Sequence, residues 1–384
     1  MKKFLASACA TLAGFSLMAN AAFATTILDF HRANIKPMFV TPPHHQVLPQ
    51  AMLDRLAASS SGLPIWQEAV QSPLDGNIYP FEMVGTNPFK TPAATTIPTV
   101  PIYIKVVLPD GNVLNPGNPG CGDTHAVESR FFNGPLFHKT PVTSNGIQVG
   151  PAQLTDAFQR ANWWGAIKGS PNYHVNLISS LTNPIIVTYY ADSNTQIYGG
   201  VCSGGSHEIA AIDINTWDNY IQTLVNKYSL PNQLPTILSY NVFQTEGGQC
   251  CILGYHNAYP RNGAMQTYAV AAYNDAQEFN VPIEDIHAWS HEIGEWMDDP
   301  FVQVDNRNYA PAYGNIGQIS GCQNNLEVGD PLTGTPYEIT FGGFTYHPQE
   351  LVFFNWFYRT KSMSTGGKAS FEGSFTAGQS TVCQ

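Results

Sequence analysis

Three side chains able to do chemistry together, His291, Glu292 and Glu295, stand within Trp289-Ser290-His291-Glu292-Ile293-Gly294-Glu295-Trp296-Met297-Asp298-Asp299-Pro300. In a helix, residues four apart share a face, so the His291 imidazole and the Glu295 carboxylate can hold one metal ion between them. Glu292 is offset by about a quarter turn. There it can polarise a water on that ion without being a ligand. Ile286, Trp289, Ile293 and Met297 recur at i, i+3, i+7 and i+11 and form the opposite, apolar face. Pro282 before the segment and Pro300 after it suit helix boundaries. The spacing predicts a helix over roughly 284–297, its back in a core and its polar face towards a cleft. An ordinary solvated face also carries acids, but usually with Lys or Arg among them, and this segment has neither. Gly294 costs about 1 kcal/mol relative to Ala in mid-helix, which points to a close approach of another group.

A catalytic zinc takes three protein ligands and keeps an open position, so a third ligand must come from elsewhere. Cys322-Gln-Asn-Asn-Leu-Glu327-Val-Gly-Asp330-Pro331 offers two carboxylates among turn residues. Glu327 is the best third ligand, with Asp330 as an alternative or as an acceptor for the other ring nitrogen of His291. Either acid can equally serve only to stabilise a turn. Cys322 can tether the loop through a disulfide. His347 is a candidate ligand or transition-state hydrogen-bond donor, with Tyr346 a weaker one for the second role. As loop histidines, His347 and still more His256 also have an ordinary structural reading. Asp298 and Asp299 could form a second cation site. His44-His45, in a proline-rich loop, reads as a solvated pair.

The elements that must position these groups read as follows. Residues 25–95 carry Pro42-Pro43, Ser59-Ser60-Ser61-Gly62 and a Thr/Pro/Ala-rich run, with one short helix at 50–58, and are expected to be an N-terminal arm or pro-segment with little core. A hairpin is expected over Ile102–Leu114 around Pro109-Asp110-Gly111. Helices are expected at 154–167 and, capped by Asp213 or Asn215, up to Tyr228. Strands are expected at 174–178, 184–190, 236–243 and 268–273, and the C-terminal third is loop-rich. No βαβ repetition and no nucleotide-binding glycine motif occurs. These features predict a single α+β domain over 96–384, with a mixed sheet and an active-site helix.

The chain opens with Met1-Lys2-Lys3, an apolar run from Phe4 to Met18 and small residues up to Ala24. This predicts a signal peptide over 1–24 and a secreted or periplasmic protein, with no later apolar run long enough to span a membrane. Losing Lys2 and Lys3 takes the formal charge from −11 to −13, which argues against nucleic acid or an anionic membrane as partner. Six cysteines remain (Cys121, Cys202, Cys250, Cys251, Cys322 and Cys383), an even number that predicts disulfides, with adjacent Cys250 and Cys251 bonded to separate partners. A cysteine nucleophile is disfavoured for the same reason. A serine hydrolase is disfavoured because Ser203-Gly-Gly-Ser206-His207 lacks the spacing of a nucleophile elbow.

Taken together, 154–163, Gly254-Tyr255-His256, 289–300, Leu326-Glu-Val-Gly-Asp-Pro331 and Phe353-Phe-Asn-Trp-Phe357 resemble a family of exported, largely uncharacterised bacterial and fungal proteins. Its shared element is a Ser-His-Glu-x-x-Glu helix with a later Glu-x-Gly-Asp segment. The helix is in turn similar to the His-Glu-x-x-His helix of zincin metallopeptidases. The resemblance implies a zincin-like fold, His291, Glu295 and Glu327 as metal ligands, Glu292 as general base, and a peptide or protein substrate. The departure is Glu295, where zincins have histidine. A second carboxylate neutralises the ion further and weakens it as a Lewis acid. It also admits manganese, iron or calcium beside zinc. The resulting expectation is a secreted metal-dependent hydrolase, most simply a metallopeptidase. The competing expectation is a catalytically silent exported binding or cell-surface protein with a structural metal.

Overall fold

The longest strand, Ala94–Val107, organises the larger sheet. The computed structural model describes residues 27–30, 35, 37–39, 48–57, 62–202, 204–314 and 322–375. The expected leader, His44-His45 and Cys383 lie outside these. Along one edge the long strand pairs in parallel with Leu234–Tyr240, and along the other with His174–Ser179 and Ile185–Tyr190. Leu234–Tyr240 pairs in parallel with Ala264–Tyr273, which closes antiparallel on Gly254–Arg261. The expected hairpin is present: Val106 and Val107 pair with Leu114 and Val113. Its strand, however, begins in the segment expected to be an arm.

The run expected as one strand over 236–243 is two. Asn241 turns the backbone at φ +52° and hands the chain from the larger sheet to a five-stranded one. That sheet orders Leu28–Asp29, Gln196–Gly199, Ile209–Asp213, Val242–Glu246 and Gln249–Ile252. Asn241 holds the crossing with its side chain: Nδ2 donates to Asp275 Oδ2 at 3.0 Å and Oδ1 accepts from the Asp275 N–H at 3.1 Å.

These sheets correct the expected fold class. The chain is mostly β, with about 37% strand against 20% helix and curled sheets, and it is not the zincin-like α+β arrangement. Among the described residues only Leu154–Asn162, Ile214–Tyr228 and His287–Asp298 are helices of nine residues or more. The physical reason is concealment by proline. Pro98, Pro101, Pro235 and Pro260 all lie inside paired strands, where a residue without an N–H is uncommon.

The helix Ile214–Tyr228 starts where expected, with Asp213 accepting from the Asn215 and Thr216 N–H groups at 3.1 Å each. Part of the expected arm is body: Ile65–Gln71 and Ile78–Val84 form a hairpin whose Trp66, Phe81 and Met83 are buried. Asn308 ties this hairpin to the C-terminal end of helix His287–Asp298, donating from Nδ2 to the carbonyls of Glu82 (2.8 Å) and Asp298 (2.6 Å).

The disulfides divide. Cys121 bonds Cys202, and Cys322 is oxidised. Cys250 bonds its neighbour Cys251, which corrects the expectation of separate partners. Among the described residues no helix is long and apolar enough to cross a membrane.

Candidate metal centre

The helix His287–Asp298 is buried along its whole length, polar residues included. Ile286, Trp289, Ile293 and Met297 fill the core as their spacing predicts. The polar side does not open on a cleft; it packs against strand Gly254–Arg261 and the Glu327–Asp330 segment. Two glycines allow this approach. A Cβ on Gly254 would meet Glu292 Cγ, and one on Gly329 would overlap the His291 ring. Gly294 has its own neighbour, since a Cβ there would overlap Leu351 Cδ1.

His291 and Glu295 meet as the four-residue spacing requires, Nε2 to Oε2 at 3.0 Å. Asp330 Oδ1 stands 3.6 Å from the same Nε2. Strand Gly254–Arg261 brings His256, whose Nδ1 is 3.3 Å from Glu292 Oε2 and 3.8 Å from Glu295 Oε2. Glu327 arrives in the loop that follows strand Cys322–Asn325, and its carboxyl enters the cluster. Ligand atoms of His256, Glu295 and Glu327 lie within 4.8 Å of one another, and so do those of His291, Glu292 and Glu295. Glu295 belongs to both groups.

The hydrogen bonds around the cluster fix both imidazole tautomers. Gln349 Nε2 donates to the Gly329 carbonyl at 2.6 Å, so its Oε1 faces His291 Nδ1 at 3.1 Å and must accept from it. His256 Nε2 lies 3.0 Å from the Asp299 carbonyl, which can only accept, so Nε2 carries the proton. Each ring therefore turns a lone pair, not an N–H, towards the carboxylates. Burial holds both rings neutral, depressing His256 to a pKa of about 3 and His291 to about 4. The short imidazole–carboxylate distances are thus not ion pairs.

Burial, and then mutual repulsion, pushes Glu292, Glu295 and Glu327 well above the usual carboxylate range. Among the described residues, His291 Nε2, Glu292 Oε1 and Glu327 Oε2 are buried with no hydrogen-bond partner. Imidazole lone pairs and carboxyl oxygens converging in a dry space are satisfied by protons held on the acids or by a cation that displaces those protons. A divalent cation fits this donor set of imidazole nitrogen and carboxylate oxygen.

Of the residues predicted from sequence, His291, Glu292, Glu295 and Glu327 are brought together. Asp330 stands on the ligand side of His291; the other ring nitrogen is held by Gln349. His347 is not brought to the cluster. Its Nδ1 lies 2.8 Å from Asp285 Oδ2 and 3.2 Å from Glu284 Oε1, and the Asp285 bond raises its pKa. It lines a separate cavity of about 300 Å³ with Arg130 and Asp123. Tyr346 donates to the Arg130 carbonyl at 3.0 Å. Asp298 and Asp299 receive Gln159 and Gln303 respectively, and Asp299 contributes through its carbonyl.

Two participants had no reading as such in the sequence, Gln349 and Phe39, and a third, His256, reads there as an ordinary loop residue. Phe39 stacks on His291 with ring centroids 3.5 Å apart and planes 12° from parallel. With it in place the space among Phe39, His256, Glu292, Glu295, Val302, Glu327 and Asp330 is about 10 Å³, room for one ion or water and no substrate. A cleft of about 660 Å³ beside Tyr103, Phe132 and Phe137 contains none of these residues.

No family model, curated protein or solved structure matches the chain.

Proposed function

We propose that the chain is an exported metal-dependent hydrolase whose divalent ion, zinc in the simplest case, is bound at Glu295, where the His256–Glu295–Glu327 and His291–Glu292–Glu295 groups meet. One observation carries this reading: two neutral imidazoles, each with its tautomer fixed from behind, direct lone pairs at buried carboxylates. A bound cation would supply Lewis acidity and hold a water for attack. Glu292 has the place of general base. Its Oε2 faces His256 while Oε1 is unpartnered, and burial raises its affinity for a proton, which suits taking one from water and passing it to a leaving group. His291 and Glu295 bind and orient; Gln349 and the Asp299 carbonyl position the rings behind them. Export is supported by the N-terminal sequence and by the Cys121–Cys202 and Cys250–Cys251 disulfides, which suit an oxidising compartment.

A second reading, an exported binding protein with a structural metal, is favoured by the closed cavity of about 10 Å³. Elemental analysis of the purified protein, before and after chelation, tests the metal. His291→Ala must abolish stoichiometric metal. Glu292→Gln must keep it and remove hydrolysis of a peptide library. Metal retained in the first variant refutes the centre, and a wild-type chain without hydrolysis leaves the structural reading.

A further inference from the structure

Gln249–Ile252 is an edge strand of the five-stranded sheet, and it does not end that sheet unaccompanied. Met38 pairs with Ile252 in parallel: the Met38 N–H donates to the Cys251 carbonyl at 2.9 Å, and the Leu253 N–H donates to the Met38 carbonyl at 3.0 Å. The next residue, Phe39, is 3% exposed and lays its ring on His291. That ring has no polar atom, so it covers the cluster without satisfying His291 Nε2. Met38 packs its side chain on the core beneath the same sheet. Met38 is therefore added to a sheet edge through main-chain bonds, and the next side chain is buried on the His291 ring. Proteins that recognise extended peptides combine these two features.

We infer that Pro37–Phe39 occupies the position of the substrate, and that the substrate is an extended polypeptide which pairs with Gln249–Ile252 and places an aromatic side chain over His291. The inference rests on the hydrolase reading for the chemistry, but the geometry of strand and ring stands apart from the metal. It has a regulatory consequence. While Phe39 is seated no external chain reaches the cluster, so the segment must withdraw before the site can work.

The test uses the full chain, metal-free in excess chelator, and diethyl pyrocarbonate, which modifies accessible neutral imidazoles. Peptide mass mapping reads modification residue by residue. In the wild-type chain His291 stays unmodified. In the double variant Met38→Pro/Phe39→Ala, which removes the strand's N–H donor and the ring, modification of His291 rises by about tenfold or more. Added acetyl-Pro-Met-Phe methylamide restores protection, and acetyl-Pro-Met-Ala methylamide does not. Phe39→Tyr, which keeps the ring, remains protected.

If His291 in the double variant is as protected as in the wild type, Phe39 is not the cover and the inference fails. If it opens but neither peptide protects it, the assignment of an aromatic polypeptide substrate fails. Should the double variant unfold, His287 and His256 will be modified together with His291, and Phe39→Ala alone, which leaves the main-chain bonds, is read in its place. Elemental analysis of the wild type reports on the metal separately, so a chain that binds no metal but shows this protection pattern overturns the hydrolase reading and not the peptide site.

Discussion

Gln349→Leu separates a metal ligand from an ordinary buried histidine. Gln349 is 1% exposed and makes two side-chain bonds, accepting from His291 Nδ1 at 3.1 Å and donating to the Gly329 carbonyl at 2.6 Å. Leucine fills nearly the same volume and makes neither bond. It leaves a buried N–H and a buried carbonyl without partners, at about 1–3 kcal/mol each. His291 has a way to recover part of this. If its proton moves from Nδ1 to Nε2, the new N–H gains the attraction of Glu295 Oε2, 3.0 Å away though not aligned for a hydrogen bond.

That escape is what makes the prediction sharp, because the rescued tautomer has no lone pair left for a cation. The metal-free variant should lose only about 2–3 kcal/mol of stability by denaturant titration, while metal affinity falls by about 10–100-fold, as loss of a ligand's supporting hydrogen bond does elsewhere. Competition with a chromophoric chelator for Zn²⁺ or Co²⁺ measures the second quantity. Gln349→Glu keeps the acceptor for Nδ1 and should restore most of the affinity. An affinity for Gln349→Leu within about twofold of wild type would refute the tautomer argument, and with it the assignment of His291 Nε2 as a ligand atom.

The close approach at Gly329 gives another outcome: its backbone is ordinary right-handed helical, so Gly329→Ala acts only through overlap with the His291 ring. It should cost about 1–3 kcal/mol and abolish stoichiometric metal; full metal occupancy by elemental analysis would contradict this. Asp298 is fully buried and burial pushes its pKa up to about 7. A carboxyl raised above its unfolded value is protonated in the folded chain and ionised in the unfolded one, so its contribution declines as pH rises from about 4 to about 7. Asp298→Asn should match the wild type near pH 4 and exceed it in stability by up to about 4 kcal/mol at pH 8, and equal stabilities at pH 8 would refute the assignment. Replacing Cys121 and Cys202 by serine opens a cross-link of sequence separation 81 and should lower stability by about 4–5 kcal/mol in thermal or urea unfolding.

What could be read from the sequence divides along a physical line. His291 and Glu295 could be paired because helix geometry makes residues four apart neighbours whatever the rest of the chain does. Glu327 could be found because the turn-rich segment Cys322–Pro331 offers just two carboxylates, Glu327 and Asp330. His256 could not. It sits on a strand whose register, His256 opposite Ala269, decides which side it presents, and a slip of one residue would turn it from the cluster. Nothing local to Gly254-Tyr255-His256 specifies that register. His347 shows the converse error: a histidine downstream of a metal-binding helix invites recruitment, but the loop that carries it is claimed by Asp285 and Glu284.

The same line explains the fold. Prolines inside Ala94–Val107 and Leu234–Tyr240 are compatible with pairing only because of which partner each edge receives, and that partner is remote in sequence. Phe39 is the extreme case. Its role depends on a two-bond pairing with Cys251 and Leu253 and on a ring stacked across to His291, three separate places in the chain. Local sequence therefore revealed the helical residues and Glu327, while His256 and the segment that closes the centre follow only from non-local pairing.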